Sequence, residues 1–95
     1  MPDDTGIRRV HIFIGGFVQG VGFRYAAERQ AAALGVQGWI RNLPDGGVEA
    51  VIEGPARSVD QMVDWAKVGP PGAEVSHVDT REEPPEGIRG FSVRR

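Results

Sequence analysis

An α+β sandwich is the fold class this sequence predicts, with one antiparallel sheet carrying two helices on one face. Three observations point to it. At 95 residues the chain has room for a single domain core. Its apolar residues alternate with a period of two in some stretches and fall at helical spacing in others. These stretches follow one another as strand, helix, strand, strand, helix, strand, with Gly- and Pro-rich turns between them. In so small a domain this order gives a split β-α-β unit, the ferredoxin-like sandwich. Right-handed crossovers then put both helices on the same side of the sheet.

Each element has its own justification. Residues 1–6 are polar, with Pro2, Asp3 and Asp4, and are expected to form a flexible tail ahead of a single domain at 7–95. From Arg8 to Ile14, Val10, Ile12 and Ile14 point one way while His11 and Phe13 point the other, which predicts a strand partly covered on both faces. The glycine-rich run from Gly15 to Gly22 reads as a turn. Phe23, Ala26, Ala27, Gln30, Ala31 and Leu34 then fall at helical spacing, and Gly35 ends that helix in the left-handed conformation. Val36–Leu43 and Val48–Glu53 flank Pro44-Asp45-Gly46-Gly47, a strong turn sequence, and read as a β-hairpin. Gly54-Pro55 breaks it. Ser58 is expected to cap a second helix whose apolar stripe is Val59, Met62, Val63 and Ala66, with Trp65 at its margin. Gly69-Pro70-Pro71-Gly72 stops that helix. Glu74–Glu82 reads as a strand with a flaw. Val75 and Val78 are three positions apart and would face opposite sides of a regular strand. Pro84-Pro85-Glu86-Gly87 is a loop, and Phe91-Ser92-Val93 a short last strand.

Composition narrows the functional classes. Hydrophobic residues at 40% and charged residues at 25% describe an ordinary globular protein. A formal charge of −2 argues against a general binder of nucleic acid or of anionic membranes. An RNA-binding domain of this architecture would show stacking aromatics on its third strand, whereas Val48–Glu53 has none and carries two glutamates. The absence of cysteine excludes disulfides, thiolate metal sites and a cysteine nucleophile. No long apolar run or signal-peptide pattern is present, so a cytoplasmic location is the expectation, and at this size a monomer is the default.

The chemistry concentrates between Gly15 and Arg24. Glycines let successive backbone N–H groups point into one concavity, which attracts an anion. The helix start that follows adds free donors and partial positive charge. Arg24, in the first turn, offers a two-pronged charged clamp. The expected ligand is a phosphate or similar oxyanion. Nucleotide loops do not fit. Gly15 and Gly20 have phosphate-loop separation, but Val21 and Gly22 stand where lysine and a hydroxyl residue are needed. The spacing of Gly16, Gly20 and Gly22 also misses the dinucleotide fingerprint.

Asn42, just before the hairpin turn, is the second candidate. A neutral amide beside a phosphate pocket both donates and accepts, so it can orient a water that it cannot deprotonate. Other polar residues have plainer readings. His11 and His77 lack ligand spacing, so no metal site is expected. Glu49 and Glu53 have the period of a solvated strand face, and Glu82, Glu83 and Glu86 read as a solvated acidic loop. Arg41 reads as a solvated strand residue, and Trp39 and Trp65 as packing residues.

The run Gly16-Phe17-Val18-Gln19-Gly20-Val21-Gly22-Phe23-Arg24 resembles the first signature of the acylphosphatases. Gly38-Trp39-Ile40-Arg41-Asn42, followed by Gly46, Val48 and Gly54, resembles the second. The similarity spans about Val10 to Val93. It implies hydrolysis of a small acyl phosphate to a carboxylate and inorganic phosphate, with no metal or cofactor. Arg24 and Asn42 would be the catalytic residues, with backbone amides of Val18–Phe23 around the phosphoryl group. The chain departs from the family at Phe17, where many members carry a basic residue. A competing expectation is a non-catalytic module that binds phosphate or carbamoyl phosphate, like the related domain that begins larger hydrogenase-maturation proteins.

Overall fold

The computed structural model of the chain describes residues 6–95. The elements are β1 (Ile7–Phe17), α1 (Phe23–Leu34), β2 (Gln37–Asn42), β3 (Val48–Pro55), α2 (Ala56–Ala66), β4 (Glu74–Glu83) and β5 (Phe91–Arg94). The sheet order is β4-β1-β3-β2-β5. β1 pairs antiparallel with β3 and β4, and β2 pairs antiparallel with β3, as the split β-α-β order requires. β5 departs from the all-antiparallel expectation and lies parallel to β2, from Gly38↔Phe91 to Arg41↔Arg94. The reason is directional. β4 finishes at the end of the sheet where β2 begins, so a chain crossing there starts its next strand in the direction of β2.

One face of the sheet carries the core. Val10, Ile12 and Ile14 of β1, Ile40 of β2 and Val48, Ala50 and Ile52 of β3 meet Phe23, Ala27 and Ala31 of α1 and Val59, Met62 and Ala66 of α2. The two helices touch each other as well as the strands, so they lie side by side on that face. Most of the expected tail lies outside the described residues. Its last member, Gly6, accepts a hydrogen bond from the Ala56 amide at 2.9 Å. That contact replaces the expected Ser58 cap. α2 begins at Ala56 after Pro55, with no side-chain cap, and its first donor is satisfied by the Gly6 carbonyl.

Gly15 and Gly16, read as turn, belong to β1, which continues to Phe17. Close approach explains the glycines: a Cβ on Gly15 would collide with the His77 ring, and one on Gly16 with the Glu74 carbonyl. The register with β4 shifts between them, so that Gly15 faces His77 and Gly16 faces Val75. Ser76 is the extra residue of a β-bulge. Val75 and Val78 therefore reach the same side, and both pack on the core. The flawed alternation of β4 is the sequence trace of that bulge.

The opposite face overturns the solvated reading of Glu49 and Glu53. Both are buried, as is Arg9. Arg9 pairs with Glu53 at 3.2 Å and with Glu83 at 3.0 Å. Glu53 also accepts from the backbone amides of Glu86 at 2.9 Å and Gly87 at 2.7 Å, which ties the 84–87 loop beneath the sheet. His11 sits between Glu49 at 2.6 Å and Glu83 at 3.1 Å, and Arg41 reaches Glu49 at 2.5 Å. Burial pushes the Glu53 carboxyl up, but the amides of Glu86 and Gly87 and the Arg9 guanidinium outweigh it and hold it below the usual range. Glu49 shows the same balance, with burial opposed by Arg41 and His11. Hydrogen bonds from Arg9 and His11 lower Glu83. Glu83 is thus part of the network and not only of an acidic loop.

Candidate active site

Topology assembles the site. β1 and β2 both run antiparallel to β3, so they are parallel to each other and end at the same end of the sheet. The loop after β1 and the residue that closes β2 meet there. Ligands in open α/β sheets favour this position, outside the carboxyl ends of parallel strands. A cavity of about 220 Å³ opens at that end, lined by Val18, Gln19, Gly20, Gly22, Phe23, Arg24, Tyr25 and Asn42. Every sequence-predicted site residue except Val21 lines it. Val21 is partly buried against the core beside the loop. Phe17 does not line the cavity; it stands exposed at the end of β1.

The loop is rich in unspent donors. Gly20 and Gly22 both have φ of 76°, the left-handed region that an L side chain rarely adopts. A Cβ at either would meet nothing within 4 Å, so conformation and not space calls for glycine there. Among the described residues, the amides of Gln19 to Tyr25 have no backbone acceptor, and the first helical bond is Ala26 to the Gly22 carbonyl at 3.0 Å. α1 has no side-chain cap and no acidic residue in its first turn. Among the described residues nothing neutralises these donors, and an anion would.

Arg24 is half-buried at the cavity. Its Nη1 donates to the Arg94 carbonyl at 2.8 Å, and its guanidinium lies 5.9 Å from the Tyr25 ring centroid. Arg8, Arg9 and Arg41 are each held by a carboxylate, whereas these contacts of Arg24 are a carbonyl and a ring. Its charge therefore remains available to a bound anion. Arg94 is present because β5 runs parallel to β2 and ends at the same end of the sheet. Sequence reading missed Arg94 and Tyr25, since neither carries a local pattern that points to the loop.

A larger cavity, about 510 Å³, lies elsewhere and is lined by Arg8, Val10, Asp60, Val63, Asp64, Lys67, Val78 and Thr80. Its charges satisfy one another. Arg8 pairs with Asp60 and with Glu82, and Lys67 lies 3.8 Å from Asp64. Size favours that cavity, but uncompensated donors favour the smaller one, and donors decide where an oxyanion binds.

The acylphosphatase family model matches residues 10–93. An acylphosphatase of Trichormus variabilis is 53% identical over 98 residues, covering 100% of this chain and 97% of the relative. One from Thermococcus kodakarensis is 55% identical over 85 residues, covering 90% of this chain and 93% of the relative. The solved structure of an acylphosphatase from Coxiella burnetii superposes with a TM-score of 0.89 at 38% identity, covering 93% of each chain. With residues of both signature stretches lining one cavity, and with likeness over nearly its whole length, the chain belongs to the acylphosphatase family.

Proposed function

We propose that this acylphosphatase acts through the cavity after β1, with Arg24 and the backbone amides holding the phosphoryl group and Asn42 orienting the attacking water. The run of acceptor-free amides from Gln19 to Tyr25 at an uncapped helix start carries this assignment. Phosphoryl transfer passes through a loose transition state, so fixed donors around the equatorial oxygens and an in-line nucleophile do most of the work. The water oxygen forms a bond to phosphorus as the bond to the acyl oxygen breaks. The electron pair leaves with the carboxylate, and the water's proton passes to a phosphoryl oxygen. A carboxylate is a good leaving group, so the step draws on no strong general acid. The amides and Arg24 offset the phosphoryl charge, so it draws on no metal or cofactor either. Phe17 leaves the rim without an extra cation, which weakens long-range capture and leaves the chemistry intact. We place the protein in the cytoplasm as a monomer, with neither a nucleic acid nor a membrane as partner. Among the described residues no helix is long and apolar enough to cross a membrane.

Hydrolysis of benzoyl phosphate, followed by its ultraviolet absorbance in excess chelator, tests the assignment. Wild type is expected to turn over unchanged by the chelator. Asn42→Ala is expected to lose about 100- to 1,000-fold in kcat, the scale for removing one preorganised polar group. Activity that vanishes with the chelator, or that persists in Asn42→Ala, would count against it.

A further inference from the structure

We infer that the Gln19 side chain is a positioning residue that sets Asn42 against the phosphate cradle, an inference that rests on the site assignment above. Gln19 belongs to the cradle by its backbone, yet its carboxamide reaches across to the β2–β3 hairpin. Its Nε2 donates to the Leu43 carbonyl at 2.7 Å and to the Gly47 carbonyl at 2.9 Å. A carboxamide nitrogen has two N–H donors, and both are used. The two carbonyls are the closing points of the hairpin turn. Leu43 N donates to Gly47 O at 2.8 Å, and Gly46 N donates to Leu43 O at 3.2 Å. Asp45 Oδ1 accepts from Gly47 N at 2.8 Å, which stiffens the same turn. Leu43 directly follows Asn42.

The sheet order makes this link consequential. β1 and β2 are not neighbours, because β3 lies between them. No ladder hydrogen bonds therefore fix the cradle relative to Asn42. Gln19 spans the end of β3 and joins the two halves of the site directly. The water on Asn42 and the phosphorus in the cradle must hold a near-attack distance, and an ångström of misplacement costs about 100-fold in rate. A group that fixes this distance acts on kcat and not on anion binding.

The test is a cycle of Gln19→Met, Asn42→Ala and the double variant, reading kcat and KM for benzoyl phosphate and Ki for inorganic phosphate. Methionine keeps the length and removes the donors. Gln19→Met is expected to lower kcat by about 10- to 100-fold while Ki stays within about threefold. On the Asn42→Ala background it should lower kcat by less than about threefold, because the residue it positions is gone. Equal losses on both backgrounds would overturn the inference. So would a rise in Ki matching the fall in kcat, or a lower melting temperature with unchanged kcat. Should Gln19→Met not fold, Gln19→Glu gives the answer through pH. Its neutral carboxyl donates to one carbonyl and its carboxylate repels both, so its kcat relative to wild type should fall as pH rises. A pH-independent ratio would overturn the inference. Wild type without turnover would instead sink the site assignment, which separates the two failures.

Discussion

Arg24→Ala is expected to lower kcat/KM for benzoyl phosphate by about 10³- to 10⁵-fold, the range for an arginine that stabilises a transferring phosphoryl group. Both kinetic constants should suffer, because in the proposed mechanism the guanidinium meets the phosphate in the ground state as well as in the transition state. The fold should not. The side-chain hydrogen bond lost is the one to the Arg94 carbonyl at 2.8 Å. Removing a cation from a helix start also relieves an unfavourable interaction with the helix dipole. Thermal unfolding close to wild type beside collapsed turnover is the expected pair of results. Arg24→Lys keeps the charge without the planar fork and should fall between the two. An Arg24→Ala enzyme within tenfold of wild type would remove Arg24 from the mechanism.

The largest expected effect on stability lies on the other face of the sheet. Glu53→Ala is expected to cost about 3 kcal/mol, the scale for removing one partner of a buried ion pair. For a domain of this size that lowers the melting temperature by roughly 10–20 °C. Arg9 would keep Glu83, at 3.0 Å, but lose Glu53. The amides of Glu86 and Gly87 would lose their acceptor and release the 84–87 loop. The pH dependence follows from the direction of the shift. Glu53, Glu49 and Glu83 are held below the ordinary value of 4.5 in the folded chain. Each therefore contributes stability that is full above that value and is lost as pH falls through the folded pKa. Wild type should lose stability progressively below about pH 4.5, and the gap to Glu53→Ala should narrow over the same window. A gap that stays constant into acid would show that Glu53 contributes by packing and not by charge. Thermal unfolding at stepped pH reads both.

The parts of this fold that were legible in the sequence are those encoded locally. The alternation from Val10 to Ile14, the helical spacing from Phe23 to Leu34 and the Pro44–Gly47 turn each report their own backbone. The glycine-rich loop, the helix start and Arg24 were legible for the same reason, since they are contiguous. What escaped depends on neighbours distant in sequence. Glycines at 15 and 16 look like a turn until β4 lies against them and leaves no room for a Cβ. Glu49 and Glu53 look solvated until Arg9, His11 and the 84–87 loop cover them. Ser58 looks like a cap until the Gly6 carbonyl takes the Ala56 amide. The parallel direction of β5, which delivers the Arg94 carbonyl to Arg24, follows from where β4 ends, and periodicity does not encode that. Gln19 was assigned to the proposed cradle by the resemblance of its loop to the family signature, but its link to Leu43 and Gly47 needs the order β1-β3-β2.

Titration of the isotope-labelled protein with inorganic phosphate, followed by backbone amide chemical shifts, tests the central claim most directly. Saturating shifts concentrated on Gln19 to Tyr25 and Asn42, and weakened in Arg24→Ala, are the result expected. Shifts centred instead on Arg8, Asp60 and Lys67, around the larger cavity, would contradict it.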